Sequence, residues 1–364
     1  GGAPDDLDLV VEGDAAAVAR RLAQACGPDA QLQLHDRFGT ATVRAGGRAY
    51  DVVRARAETY PRPGALPEVR PGTLAEDLAR RDFTVNAIAL SLDGRLAAVA
   101  HALDDLAARW LRVLHDASFR DDPTRLLRLV RYATRLGFAV EPRTAALARS
   151  ALDGGALGTV TRTRLGRELR LALREPAAVA ALQRIAGWGR AADPLLPGLA
   201  VDPALHARAA ALLGDAGRPD LLLLAGAARA VAPEALGEHL DALGFPARER
   251  DTVVAAAGGA ARAARQLAAA DRPSRIAAAL RGAPPELAAL AGALGGARAA
   301  DAAARWLREL RHVRLAIDGR DVMAAGVPEG PQVRAALERA LAARLDGEIP
   351  PGRDAELAAA LAAD

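Results

Sequence analysis

Lysine is absent. All 48 basic residues of the 364-residue chain are arginine, which excludes Schiff-base chemistry on lysine and a phosphate loop built around one. Cysteine occurs once, at Cys26, so no intrachain disulfide forms and no cysteine-based zinc site can be assembled. A reducing compartment, the cytoplasm, is the expected setting. Aromatic residues are 3% of the chain; the core is left to Ala, Leu and Val, a composition that favours helices. No run of about 18 apolar residues is free of charge, so no membrane-spanning helix is expected. The opening GGAPDDLDLVVEGD has no basic-then-apolar signal pattern.

What is present describes a globular protein. Apolar residues are 51% and charged residues 26% of the sequence, and the length suits roughly two to four domains. The net charge of +3 is small, so a nucleic-acid surface has to come from local clusters of arginine. Arginine is also the better bidentate partner for phosphate.

The first part of the chain mixes strand and helix patterns. Residues 7–11 form a short apolar run broken by one acid, a strand. Ala15, Val18, Ala19, Leu22 and Ala23 recur at helical spacing over 14–26, with Asp14 as N-cap. Residues 31–35, 40–45 and 49–54 read as strands, with Gly46-Gly47 as the hairpin turn between the last two. Residues 58–71, rich in Pro and Gly, read as a loop, and 74–92 as a helix running into a strand. From about Asp116 the pattern is helical, with breaks at 175–176, 193–198, 214–219, 244–246, 282–285 and 326–330. The Ala-rich stretch 250–304 keeps the spacing of packed helices; Trp188 and Trp306 are expected in the core, and there is no fixed-period repeat. The fold class is α+β: a mixed-sheet head and a long all-α remainder.

Three segments hold the residue types that carry chemistry. Asp6 and Asp8 are two apart on the first strand, so their side chains share a face and suit a hard divalent cation such as Mg²⁺. Asp51 is an acid between apolar residues on another strand. Arg80-Arg81-Asp82-Phe83-Thr84-Val85-Asn86 joins two arginines able to grip a triphosphate with Asp82 and Asn86, which can brace the loop. Asp121-Asp122-Pro123 opens a helix on which Arg125, Arg128, Arg131 and Arg135 share one face and Leu126, Leu127, Val130 and Ala133 the other. Such a stripe is either a solvated face or one wall of a nucleotide cleft. His35-Asp36 and His115-Asp116 are HD pairs, but six scattered histidines do not supply the further ligands of a metal phosphohydrolase.

Together these segments resemble the class II tRNA nucleotidyltransferase and bacterial poly(A) polymerase family. DDLDLVVEGD carries its metal-binding DxD, ARRDFTVNAIAL at 79–90 its RRDFTxNA signature, DDPTRLLRLVRYATRLGF at 121–138 its EDxxR segment and arginine helix, and IDGRDVMAAGVPEGPQV at 317–333 looks like the tail of bacterial members. The resemblance implies a polymerase-beta-like nucleotidyltransferase head at 1–115, a neck at 116–190, a body at 191–300 and a tail at 301–364. It implies addition of CCA, or part of it, to tRNA 3′ ends from CTP and ATP. The tRNA 3′-hydroxyl attacks the α-phosphate and pyrophosphate leaves. Asp6 and Asp8 would bind Mg²⁺, and Asp51 fits a third catalytic position. Gly2, Arg80, Arg81, Asp82, Asn86, Asp122, Arg125, Arg128 and Arg131 would bind nucleotide, with Asp122 and Arg125 reading the base. Arg162, Arg164, Arg167 and Arg170 would hold the tRNA acceptor arm. No membrane or protein partner is implied.

Two departures qualify the resemblance. The family's opening GGxVRD lies farther ahead of the DxD, whereas here Gly1-Gly2 is followed by three residues before Asp6. The expectation is a weakened triphosphate grip, or a segment beyond these 364 residues. At 98–102, Ala-Val-Ala-His-Ala stands where the family has an acid, a proline or aromatic, and glycines, so an altered connection is expected there. Alternatives are an A-adding or CC-adding specialist or a poly(A) polymerase, the loop at 58–69 leaning toward A-adding members. Outside this chemistry, the alternative is a catalytically weak RNA-binding protein.

Overall fold

The computed structural model describes residues 6–35 and 39–362, Asp6 by its backbone alone. The chain divides into two compact units, residues 1–161 and 162–364.

The first unit is built on a four-stranded mixed sheet. Its strands are β1 (Asp6–Val11), β2 (Gln31–His35), β3 (Thr40–Ala45) and β4 (Arg48–Arg54), in the order β1-β4-β3-β2, with β1 parallel to β4. Gly46 and Gly47 both take positive φ, 58° and 76°, the backbone that a two-residue turn between twisted strands demands. Helix α1 (Ala15–Cys26) starts at Asp14, whose carboxylate accepts from Ala17 N at 3.0 Å. It covers one face of the sheet, where Ala15 and Ala19 meet Ala41, Val43 and Val52, with Leu9 and Val11 beside them. Alternation along β1 and β4 puts Asp8 and Asp51 on the opposite face.

Residues 58–71, expected as a loop, are strand at both ends. The hairpin of β5 (Arg56–Thr59) and β6 (Glu68–Pro71) is antiparallel. Helix α2 (Leu74–Ala79) follows, opened by a reciprocal cap in which Thr73 Oγ1 accepts from Glu76 N and Thr73 N donates to Glu76. Its last turn leads into the segment 80–86. There Phe83, fully buried, bridges to Val113 and meets Tyr132 edge-on at 5.9 Å. A second hairpin, β7 (Ile88–Leu90) with β8 (Leu96–Ala98), leads to α3 (Ala102–Ala108). Within 98–102 His101 turns left-handed, φ 65°, where a glycine is easier to place.

The expectation of no strand beyond Asp116 fails in one place. Strand β9 (Trp110–Leu111) pairs in parallel with β10 (Ala139–Val140). Around them lie α4 (Ser118–Asp121), α5 (Thr124–Leu136) and α6 (Pro142–Asp153). Buried Asp105 anchors this region, accepting from Thr84 Oγ1 at 2.7 Å and from both ends of the Arg112 fork. Helix α5 buries Leu126, Leu127, Val130 and Ala133 as expected, but Arg125 and Arg131 are buried too, so the arginine stripe is not a solvated face.

The second unit is helical throughout. After α7 (Arg162–Leu173) come α8 (Ala178–Ala186), α9 (Pro203–Leu213), α10 (Pro219–Ala227) and α11 (Pro233–Ala242). The long α12 (Ala247–Ala269) precedes α13 (Pro273–Ala279), α14 (Pro285–Leu294), α15 (Gly296–Arg308), α16 (Gly319–Ala324), α17 (Pro331–Asp346) and α18 (Arg353–Leu361). Helix α12 buries Ala256, Ala257, Ala260, Ala263 and Ala264, small side chains that let neighbouring helices approach closely. Ile317, Val322, Ala336, Ala340 and Ala360 form a separate cluster near the end of the chain. Trp306 is buried as expected; Trp188 is only half-buried.

The loop between β5 and β6 is pinned at Gly64. Its N–H points at the carbonyls of Arg120 and Asp121, both 3.2 Å away, and its φ is +70°. A Cβ there would stand 2.3 Å from Thr159 Oγ1 and 2.7 Å from the Thr159 carbonyl oxygen. Gly64→Ala is therefore expected to cost about 2–3 kcal/mol from steric conflict and a left-handed backbone. Gly158→Ala, which enters open space, should change stability by less than about 0.5 kcal/mol. Chemical denaturation of both variants checks the pair.

Candidate active site

A cleft of about 540 Å³ opens in the first unit. Asp8, Arg56, Glu58, Arg80, Arg81, Asp82, Asp122, Arg125 and Arg128 line it, with Tyr60, Pro67, Asn86 and Tyr132. The volume is of the order that holds a drug-sized ligand, and the lining is largely charged.

The sheet contributes Asp8. In the parallel register Asp8 stands beside Asp51, and Asp51 stands beside Thr42 on β3. Thr42 Oγ1 donates to Asp51 Oδ1 at 2.6 Å, so Asp51 is oriented across the sheet and Asp8 is the exposed carboxylate of the pair. Asp6 precedes them on β1 and pairs with Ala49 through its backbone. The expected role of Gly2 and of the opening motif lies outside the described residues. Among the described residues no three His, Cys, Asp or Glu side chains cluster as a metal site. Of the HD pairs, Asp116 accepts from Arg143 Nε at 2.9 Å, and Asp36 is outside the described residues.

The segment 80–86 divides its labour. Arg80 commits all three nitrogens: Nε and Nη2 donate to Asp77 Oδ1 at 3.0 and 2.7 Å, and Nη1 to Glu58 Oε1 at 3.0 Å. Glu58 also takes Arg56 Nε at 3.0 Å and the Tyr60 hydroxyl at 3.1 Å. Arg81 donates Nη2 to Asp77 Oδ2 at 2.6 Å, while its buried Nε has no partner. Asp82 is buried and works as the expected brace: Oδ1 accepts from Phe83 N and Asn86 Nδ2, and Oδ2 from Arg128 Nε at 2.7 Å.

Helix α5 supplies the far wall. Arg125 is buried; Nη1 donates to Ser118 Oγ at 2.7 Å and Nη2 to the Arg80 carbonyl at 2.8 Å. Asp122 Oδ1 accepts from Thr124 N and Thr124 Oγ1, so this acid shapes the helix start. Helix α5 itself begins at Thr124, with Pro123 one place ahead of it. Arg128 and Arg135 both lie against the Tyr132 ring, 5.4 and 5.2 Å from its centroid. Arg131 is buried but is not among the residues that line the cleft.

Arg56, Glu58, Tyr60 and Tyr132 are cleft residues that the sequence does not single out. The signal for the first two is the alternation Arg56-Ala57-Glu58 along a strand, hidden because the segment from 58 looks like a loop. Burial pushes the Tyr60 hydroxyl up to about 12, with Glu58 and Asp122 adding and Arg125 opposing. Tyr60 is thus a neutral donor across the working pH range.

In the second unit two arginines of α7 bond to segments packed beside it. Arg162 donates to the Pro194 carbonyl and Arg170 to the Gly244 carbonyl, each at 2.8 Å, and Arg170 also lies over Phe245 at 5.3 Å. Arg164 is half-buried and Arg167 exposed. Arg174 pairs with Asp220 and Glu249.

Residues 1–112 match the model of the poly A polymerase head domain. The A-adding tRNA nucleotidyltransferase of Aquifex aeolicus is 44% identical over 174 residues, 47% of this chain and 21% of that protein. That of Halalkalibacterium halodurans is 42% identical over 187 residues, 50% of this chain and 43% of its own length. The chain thus spans less than half the length of these relatives. The CC-adding tRNA nucleotidyltransferase of Deinococcus radiodurans is 37% identical over 357 residues, 96% of this chain and 82% of that protein. Among solved structures, a CCA-adding enzyme in an apo form aligns with TM-score 0.82 at 25% identity, covering 98% of this chain and 86% of that chain. The Thermotoga maritima CCA-adding enzyme complexed with tRNA aligns with TM-score 0.73 at 25% identity, covering 99% and 87%. No described helix is long and apolar enough to cross a membrane. With a relative this similar over nearly its whole length, and with the head, the cleft and the helical remainder in the same order, the chain belongs to the tRNA nucleotidyltransferase family.

Proposed function

We propose that this protein is a template-independent nucleotidyltransferase that adds C, A or the CCA sequence to the 3′ end of tRNA from CTP and ATP. The observation that carries the reading is one cleft that joins the exposed carboxylate Asp8, the arginine segment 80–86 and the Asp122–Arg125 helix start. Each part has a separate task in joining a hydroxyl to a nucleoside triphosphate. The CC-adding relative, matched over nearly the whole chain, favours cytidine as at least one substrate. The A-adding relatives match about half of the chain and keep adenosine addition as the second reading. A cytoplasmic location goes with the tRNA substrate and the single cysteine.

The family generally uses a divalent metal. The residues present fit one: Asp8 and Asp51 are adjacent carboxylates, and hard oxygen donors with open positions suit Mg²⁺. Asp8, with Asp6, would hold it, and the ion would supply charge neutralisation on the triphosphate and the leaving pyrophosphate. The chain's own groups do the rest. Arg81, held by Asp77 and one-third exposed in the cleft, is open to phosphate oxygens, whereas Arg80 acts as a strut between Asp77 and Glu58. Asp82 and Asn86 hold the segment in shape. Asp122 and Arg125 read the base: a carboxylate accepts from the exocyclic amine of cytosine or adenine, and a guanidinium donates to ring acceptors. Arg125 spends two nitrogens on Ser118 and Arg80, and a guanidinium has five N–H donors. Arg128 is tied to Asp82 and Tyr132 and completes this wall. The arginines of α7, Arg167 foremost since it is exposed, would meet RNA phosphates. We retain 1–115, 116–190, 191–300 and 301–364 as the functional segments head, neck, body and tail.

Asp8→Ala is expected to reduce nucleotide incorporation more than about tenfold, since a lost metal clamp is worth several kcal/mol, while tRNA binding stays near wild type. Incorporation into tRNA transcripts ending before the first C, after CC and after CCA, with each labelled nucleotide supplied separately, measures this and identifies what is added. Retention of more than about a tenth of wild-type turnover would sink the Asp8 assignment. A wild-type protein that binds tRNA and adds nothing would support the alternative of a catalytically weak RNA-binding protein.

Asp122→Ala tests base reading. A wrong base leaves buried polar groups unpaired at about 1–3 kcal/mol per group. The variant should therefore gain UTP and GTP incorporation relative to CTP and ATP, with little change in tRNA affinity. Equal loss with all four nucleotides would reduce Asp122 to the helix-start role that its bonds to Thr124 already give it.

A further inference from the structure

Asp77 lies directly beneath the cleft, fully buried and absent from its lining. It comes from the short helix α2 and meets the two arginines at the end of that helix. Oδ1 takes Arg80 Nε and Nη2 and, at 3.3 Å, the backbone N–H of Arg56; Oδ2 takes Arg81 Nη2 alone. The arginines are treated differently. Arg80 donates from all three nitrogens, to Asp77 and Glu58. Arg81 is held at one end, its side chain is one-third exposed, and its Nε is buried with no partner.

We infer that Asp77 is a positioning residue for triphosphate capture, acting through Arg81; the inference rests on the nucleotidyl-transfer reading above. A guanidinium that waits for phosphate needs a counter-charge to hold it, and that counter-charge must not face the phosphate. Asp77 meets both conditions: it fixes Arg81 in a short charge-assisted bond while presenting no oxygen to the cleft. Arg81 lines the cleft with one-third of its side chain exposed, so the part of its guanidinium that Asp77 does not hold is open to an anionic oxygen. Arg80, with its nitrogens already committed, keeps the Asp77 carboxylate and the β5 strand in register. Burial alone would raise the Asp77 carboxyl, but hydrogen bonds from Arg80 and Arg81 and their charges outweigh it and hold the group below the ordinary carboxylate range. Asp77 is therefore charged wherever the enzyme works.

The experiment is a double-variant cycle on the full chain with Asp77→Asn, Arg81→Gln and the two combined. Titration calorimetry with inorganic pyrophosphate and Mg²⁺ reads binding, and steady-state addition of CMP or AMP to a tRNA transcript reads KM and kcat. Each single variant should weaken pyrophosphate and raise the nucleotide KM at least tenfold, with kcat down less than about threefold and the tRNA KM unchanged. The combined variant should be no worse than Arg81→Gln. Nucleotide KM within twofold of wild type in Asp77→Asn, multiplying effects in the combined variant, or a fall in kcat with every KM unchanged each overturn the inference. If Asp77→Asn shows no cooperative thermal transition, Asp77→Glu replaces it. That variant moves the charge by one methylene, and its expected threefold or greater weakening of pyrophosphate should vanish in the Arg81→Gln background; persistence there overturns the inference. Wild-type protein that binds pyrophosphate but adds nothing to tRNA overturns the nucleotidyl-transfer reading, while the calorimetric cycle still decides the coupling. Wild type that binds no pyrophosphate overturns both.

Discussion

Two arginines on one turn of α5 hold the cleft together. Arg125 donates to the Arg80 carbonyl and Arg128 to the Asp82 carboxylate, so the arginine segment and the helix start, more than forty residues apart in sequence, become opposite walls of one space. Only the second is an ion pair: removing Arg128 leaves the buried Asp82 carboxylate without its counter-charge, whereas removing Arg125 leaves a neutral carbonyl without its donor. The same walls also carry Phe83 against Tyr132, Asn86 on Asp82, and the Tyr60 hydroxyl on Glu58.

A cleft for a polyanion has to be positive where the ligand lies and still fold without it. Five arginines line this one, against four carboxylates, with Asp77 hidden behind them. Most of the guanidinium charge is therefore balanced within the wall, and little is left to repel itself in the empty protein. Arg81, one-third exposed, is the guanidinium left open to the ligand. This local balance also explains why a family of nucleic-acid enzymes can include a chain with a net charge of only +3.

The second unit solves a different problem with the same composition. Few aromatics are available, so volume is filled by close approach rather than by large side chains. Helix α12 offers a face of alanines, and α14 is buried nearly all round. Arginine serves here mostly as a bracket: Arg162 and Arg170 close the gaps between helices by donating to exposed carbonyls. The arginine series on α7 is therefore only partly available for RNA. Spacing along a helix cannot distinguish a bracket from a contact, because both need a long side chain with a charged end.

Local patterns settled much of this protein. Alternation gave β1 to β4 almost residue by residue, Gly46-Gly47 announced its turn, Asp14 its cap, and the proline and glycine breaks separated the helices. These features depend on neighbours within a few positions, which sequence contains directly. Asp8, Arg81, Asp122 and Arg125 were legible as candidates from their types, their spacing and the family resemblance, and they line one cleft. Long-range partners were not. That Arg80 is a strut and Arg81 a free donor depends on Glu58, 22 residues away across a strand. That 58–71 is strand at both ends depends on pairing in register. That Arg125 and Arg131 on α5 are buried while Arg135 is exposed depends on what the fold stacks against the helix. Burial and hydrogen-bond partners are properties of the packed chain, and only tertiary structure could decide them.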